Sequence, residues 1–258
     1  MKRISLLLTV LVLLASHACG QKEATSATHH DDLCVVRMTN AKNITPLRRY
    51  AYRSWYSETL RIPMAVAWYL TGPHTRGNSQ RQQQSFRPDQ DVKGSPVTTY
   101  DYMQSGYDRG HMCPAGDTKW NQKAQEETFL LTNICPQNHN LNKNDWNDVE
   151  QLCRQWARKY GCVYIVCGPV LRGTQHQQIG PRQRRITVPE AFYKVVLRTG
   201  KNPAAIGFLY DNRGQRQPMK QAVRSVDEIE QLTGFDFFSA LDDSTERRIE
   251  AKAALSDW

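Results

Sequence analysis

The sequence predicts an α+β domain, a central and mostly antiparallel sheet flanked by helices. Strand-like runs come in groups with helices interspersed, which is the pattern of that class. Phe192 to Leu197 and Ala204 to Leu209 flank Thr199-Gly200-Lys201-Asn202-Pro203 and read as one antiparallel pair. No Pro/Gly/Ser-rich linker divides the middle and no internal repeat is visible. The predicted organisation is therefore one domain over residues 34–258, preceded by a leader and a tether.

Residues 1–18 form the leader. Lys2 and Arg3 give a positive start, and Ile4 to Ala15 is an apolar stretch too short for a comfortable membrane span. Cys19 follows Ser16-His17-Ala18 and precedes Gly20. This resembles a lipobox, with Cys19 lipidated as the mature N-terminus, although His17 fits that motif poorly. Plain signal-peptidase cleavage is the alternative. Either route exports the chain from a bacterial cytoplasm, as a periplasmic or outer-membrane lipoprotein or as a secreted protein. Residues 19–33, rich in Thr, Ser, His and Asp, read as a flexible tether. His29-His30 within it reads as a metal-binding pair or as a solvated polar one.

The elements then follow in order. Tyr56 to Leu70 reads as two strands around Arg61-Ile62-Pro63, with Met64, Val66 and Trp68 alternating with Ala65, Ala67 and Tyr69. Thr71 to Val97 is polar and carries the Gln tract Gln82 to Gln84; it reads as a long surface loop. Tyr107 to Met112 reads as a short strand ending at His111, and Thr128 to Ile134 as a buried strand. The clearest helix comes next. Asn138 or Asn144 can cap it, Trp146, Val149, Leu152, Cys153 and Trp156 share one face, and Gly161 ends it. Cys162 to Val170 reads as a second buried strand, ended by Gly168-Pro169. Ser225-Val226-Asp227-Glu228 is a capping box for a short helix that Gly234 closes, and Ser244 to Leu255 reads as a peripheral terminal helix.

Lys and Arg outnumber Asp and Glu by 34 to 25, a formal charge of +9. Such a balance favours a polyanionic partner, nucleic acid above all, although a merely soluble basic protein would show it too. Cys34, Cys113, Cys135, Cys153, Cys162 and Cys167 remain beyond Cys19. An even number in an exported chain suggests disulfides, and a Cys113–Cys135 bridge would brace the segments just past His111 and Asn133. The rival reading, structural zinc, is weakened by the absence of any Cys-x-x-Cys pair.

The chemistry concentrates in Tyr107-Asp108-Arg109-Gly110-His111-Met112-Cys113-Pro114, then Thr132-Asn133-Ile134-Cys135-Pro136-Gln137, then Leu141-Asn142-Lys143-Asn144-Asp145-Trp146 and Glu150. An imidazole, with an ordinary pKa of about 6.5, can deprotonate water near neutrality. An arginine fork can hold phosphate oxygens. An asparagine carbonyl suits a hard cation such as Mg²⁺. Taken singly, each residue has a plain structural reading: a histidine in a turn, a helix-capping asparagine, a solvated helix glutamate, and an arginine paired with Asp108.

Together, in this order, they resemble the active site of the DNA/RNA non-specific endonucleases. Those are secreted bacterial and mitochondrial nucleases built on a ββα-metal (His-Me) finger. Their signature is Asp-Arg-Gly-His, then Asn-x-x-Pro-Gln, then Leu-Asn-x-x-x-Trp-x-x-x-Glu, and every part is present. The match is tightest over Tyr107 to Glu150 and looser over Tyr56 to Phe238. The resemblance implies the same antiparallel sheet flanked by helices. It implies His111 as general base and Asn142 as ligand to Mg²⁺, with Glu150 holding a water on the ion. Arg109 would stabilise charge at phosphorus, and Arg81, Arg109 and Asn133 would contact substrate. Asp108 and Gln137 would have structural roles, with Asn133 and Gln137 shaping the site through hydrogen bonds. Mn²⁺ and Ca²⁺ are alternative ions, because one neutral oxygen selects weakly among hard cations.

Arg76 and Arg87 compete with Arg81 in a loop that is hard to align. Arg182, Arg184 and Arg185 read equally as a phosphate-tracking cluster or a solvated basic loop. DNA and RNA are the implied substrates. A non-catalytic nucleic-acid-binding lipoprotein of the same fold is the main competitor, and a phosphodiesterase for small nucleotides is a third reading that a deep closed pocket would favour.

Overall fold

The computed structural model describes residues 31–39, 42–80 and 84–258. The leader, Cys19, His29-His30, most of the tether and Arg81 lie outside the described residues. Strands β1 (Arg37–Met38), β2 (Ile44–Arg48), β3 (Arg53–Ser57) and β4 (Ile62–Thr71) come first. After the long loop follow β5 (Asp108–His111), α1 (Gln122–Thr128), β6 (Ile134–Gln137), α2 (His139–Lys143) and α3 (Asp145–Tyr160). Next come β7 (Cys162–Val170), the short β8 (Gln178–Ile179) and β9 (Ile186–Thr187), β10 (Ala191–Arg198) and β11 (Ala204–Asp211). The chain closes with α4 (Met219–Ala222), β12 (Val223–Arg224), α5 (Val226–Thr233), β13 (Phe235–Asp236) and α6 (Asp243–Glu250).

The predicted architecture is present. A seven-stranded sheet runs in the order β12-β11-β10-β7-β4-β3-β2. All its neighbours pair antiparallel. Its two faces are separated by the period-two alternation of strand side chains. Val66, Trp68 and Leu70 point to the side where Trp146, Val149 and Trp156 of α3 pack. Ala65 and Ala67 point to the other, against Val226 and Ile229 of α5 and Ile249 of α6. β5 and β6 form a separate two-stranded sheet on the α3 side.

Several local expectations need correction. Thr128 to Ile134 is not a strand. Asn121 caps the unexpected helix α1 by accepting from Ala124 N–H, Leu131–Asn133 is a tight 3₁₀ turn, and the strand is Ile134–Gln137. A buried apolar run carries no period of its own, so burial alone did not make it β. Arg61, at φ 60°, closes the turn before β4, and Ile62 and Pro63 already belong to the strand. β7 runs through Gly168-Pro169 because its pairing with β4 has ended at Cys167 and only β10 continues alongside. The terminal helix stops at Glu250 and is not peripheral, since Ile249 and Glu250 are buried. The tether is shorter than 19–33, because Leu33 is fully buried and Arg53 holds Asp31 at 3.2 Å.

The cysteines are corrected too. All six in the described residues are free thiols, Cys113 and Cys135 included. Cys113, Cys135, Cys153 and Cys167 are buried apolar packing units, and burial pushes each thiol above its ordinary pKa, which suits an inert side chain. Among the described residues none of them belongs to a cluster able to hold a metal.

Candidate active site

β5 and β6 pair in the register Asp108↔Gln137, Gly110↔Cys135 and His111↔Ile134, and α2 follows β6 directly. This is the ββα unit of the sequence reading, with one difference. Asn142 does not share a helix with Trp146 and Glu150. Asn138 caps α2, the chain kinks at Asn144 (φ −113°, ψ −90°), and α3 starts there. Asn138 and Asn144 are both caps, one for each helix.

His111 sits at the end of β5 and is 8% exposed. Its ring packs against Phe86 (5.2 Å between centroids) and edge-on to Phe129 (5.0 Å). Its carbonyl accepts from Trp146 Nε1 at 3.4 Å, which ties β5 to α3. Behind that indole, the fully buried Lys194 rests its ammonium 4.4 Å from the Trp146 ring and 5.1 Å from that of Trp68. The imidazole is thus held by aromatic walls and by a backbone pinned from the helix.

Asn142 Nδ2 donates to Asp108 Oδ2 at 2.8 Å. A carboxylate only accepts, so the amide nitrogen must face Asp108 and the carbonyl oxygen is the end left for a hard cation. His139 Nδ1 lies 3.0 Å from the same carboxylate oxygen. The side-chain partners of Asp108 are thus Asn142 and His139, and it makes no ion pair with Arg109. Asp108, His111, Asn142 and Glu150 all line one cleft, whose basic side chains are Lys119, Lys143, Arg154 and Arg158. The residues present fit a hard divalent ion: a neutral oxygen aimed by a carboxylate, with a second carboxylate, Glu150, in the same cleft.

Arg109 does not line that cleft with Asn142 and Glu150. Its guanidinium lies over Phe86 at 5.0 Å, beside His111 through the shared ring. Asn133 is not placed to touch a substrate. It is fully buried, accepts from Cys113 N–H at 2.9 Å and donates to the carbonyls of Cys113 (2.9 Å) and Thr128 (2.8 Å). It clamps the turn after His111. Gln137 is also fully buried, with its side chain packed against Gly110.

That packing explains Gly110. A Cβ there would lie 2.2 Å from Gln137 Oε1 and 2.6 Å from Gln137 Cβ. Gly110→Ala is expected to cost roughly 1–3 kcal/mol by overpacking and to displace His111. Urea unfolding and cleavage rates would check this, and Gln137→Ala in the same chain should recover much of the stability. Full stability of Gly110→Ala alone would remove this reading of Gln137.

A model of the DNA/RNA non-specific endonucleases matches residues 29–244. The chain belongs to that family. It is 36% identical over 203 residues to the mitochondrial nuclease EXOG of Danio rerio, covering 72% of this chain and 58% of that protein. It is 34% identical over 201 residues to mitochondrial EXOG of Xenopus laevis, covering 72% and 56%. The chain thus spans a little over half the length of these two relatives. A chain in the crystal structure of the EndoG/EndoGI complex superposes with a TM-score of 0.74 at 26% identity, covering 81% of this chain and 91% of that one.

Within this family frame, sequence reasoning overlooked Arg154. It follows Glu150 by one helical turn on α3 and lines the same cleft. Its NH1 donates to the buried Asp117 at 2.6 Å and its NH2 lies 3.7 Å from Glu150 Oε2. The i, i+4 Glu–Arg spacing could have marked it. Arg184 is paired with the buried Asp101 at 3.2 Å, and the Arg182–Arg185 cluster does not line the cleft.

Proposed function

We propose that this chain is an endonuclease that hydrolyses phosphodiester bonds of DNA and RNA with little sequence preference, using His111 as general base and a hard divalent ion, Mg²⁺ or Mn²⁺, on Asn142. The observation that carries this reading is the meeting of His111, Asn142 and Glu150 in one cleft, with the Asn142 carbonyl freed by the bond to Asp108. When bound, the ion supplies positive charge that polarises the phosphate and favours departure of the 3′-oxygen.

The side chains do the rest. His111 takes a proton from water, which attacks phosphorus in line; the 3′-oxygen leaves and the product keeps a 5′-phosphate. Glu150 accepts hydrogen bonds from water in the cleft. Arg154, anchored by Asp117, offers fixed positive charge to the pentacoordinate phosphorus. Lys119, Lys143 and Arg158 attract the backbone, and phosphate contacts carry no direct base information, so low specificity follows. Arg109, beside His111 across Phe86, and Arg81 are proposed as outer phosphate contacts. Export by the leader, with Cys19 lipidated, is proposed on the leader sequence alone.

Supercoiled plasmid and a single-stranded RNA, each incubated with the purified chain in Mg²⁺ or in chelator, test the reading. Cleavage of both in Mg²⁺ and of neither in chelator is expected. No cleavage with any divalent metal, while salt-sensitive binding persists, would make this a binding protein of the same fold.

A further inference from the structure

Three carboxylates converge on the face of the sheet opposite the cleft. Asp227 and Glu230 stand three residues apart on one side of α5, and Glu250 is the last residue of α6. One oxygen from each lies within 4.8 Å of the other two. Glu250 is 2% exposed, and its Oε1 has no hydrogen-bond partner. Glu230 accepts from Phe237 N–H at 2.7 Å, which engages one of its oxygens.

No arginine or lysine among the described residues pairs with any of the three. The nearby Arg37 is paired with Asp236 at 3.6 Å, and Arg247 with Asp243 at 3.7 Å. Further neighbours, Asp236 and Glu246, add charge of the same sign. Burial first, then these carboxylates, push Glu250 up to about 9; burial and the adjacent aspartates also raise Glu230, to about 7.

An uncompensated buried carboxylate among like charges is costly. A proton or a cation can relieve it. Above the values to which burial raises Glu230 and Glu250, protons no longer relieve the cluster. A divalent ion engages all three. The donors are all oxygen, which excludes a preference for soft metals. Ca²⁺ takes mono- or bidentate carboxylates in flexible geometry and completes its shell with water, which the partly exposed Asp227 and Glu230 leave room for.

We propose that Asp227, Glu230 and Glu250 form a second cation site, separate from the cleft, that binds a hard divalent ion of the Ca²⁺ class and fastens α6 to α5. The proposal is independent of the cleavage chemistry.

Equilibrium dialysis and thermal melting of the full chain at about pH 8, in chelator and then with CaCl₂ alone, test it. Asn142→Ala separates this site from the cleft. Ca²⁺ is expected to raise the melting midpoint of the wild type and of Asn142→Ala alike, with about one ion bound per Asn142→Ala chain. Binding should weaken at least about tenfold in Glu250→Gln and in Asp227→Asn. Cleavage by Glu250→Gln in Mg²⁺ should be unchanged. Should Glu250→Gln fold poorly, the partly exposed Asp227→Asn keeps the binding result readable. No Ca²⁺ bound by Asn142→Ala would overturn the site, as would binding that survives in both carboxamide variants. So would a metal-free midpoint that rises on acidification with no response to Ca²⁺, which would assign the cluster to a shared proton.

Discussion

His111→Ala is expected to lower the rate of plasmid nicking by about 10²–10⁴-fold, the usual contribution of a positioned general base. DNA binding should persist, because the basic side chains of the cleft, Lys119, Lys143, Arg154 and Arg158, are untouched. The ring fills a slot between Phe86 and Phe129, so truncation also removes packing; His111→Gln keeps more of that volume and should be equally inactive with a higher melting midpoint. Initial rates, salt-dependent binding and melting of both variants separate these effects. A near-normal rate in either would assign the base elsewhere.

Arg154→Ala should act on stability and cleavage together. Asp117 is 2% exposed and depends on Arg154 and on Trp68 Nε1 at 3.1 Å. Removing one member of a buried pair costs about 3–5 kcal/mol, because the other charge stays buried. The pH dependence has a definite sign. Burial already pushes the Asp117 carboxyl above its ordinary value against the pull of Arg154. Without Arg154 the native carboxyl rises further above its unfolded value. The native chain then holds a proton that the unfolded chain has lost, and stability falls as pH rises through that window. Denaturant unfolding should therefore show a deficit that is small near about pH 4 and grows toward about pH 8. Asp117→Leu with Arg154→Met should recover much of the stability and none of the cleavage. A deficit that is flat with pH would mean that Asp117 is not the group left exposed.

The parts of the molecule legible in the sequence are those whose signal is local. The capping box at Ser225 and the left-handed Gly234 bound α5 as read, and Gly161 ends α3. Alternation in Met64 to Tyr69 marks β4 correctly, because each face of the sheet meets a different core. The site order Asp108, His111, Asn142 and Glu150 was readable because motif spacing survives folding.

What was missed depends on distant partners. Phe129 to Leu131 is apolar because it lies under the loop carrying Arg87, whose N–H bonds to Phe129 O at 3.1 Å, and of the run only Ile134 belongs to strand β6. Asn133 reads as a substrate contact in sequence and is a clamp in space. Arg154 acquires its meaning from Asp117, thirty-seven residues away. The free cysteines follow from core packing, which an even count does not reveal.

The most direct test of the central claim is the Mg²⁺ dependence of single-turnover cleavage of a short DNA duplex, wild type beside Asn142→Ala. If the Asn142 carbonyl, aimed by Asp108, holds the ion beside His111, the variant should lose more than about a hundredfold in rate at low Mg²⁺ and need far more Mg²⁺ to recover. An unchanged rate with an unchanged Mg²⁺ midpoint would contradict the account.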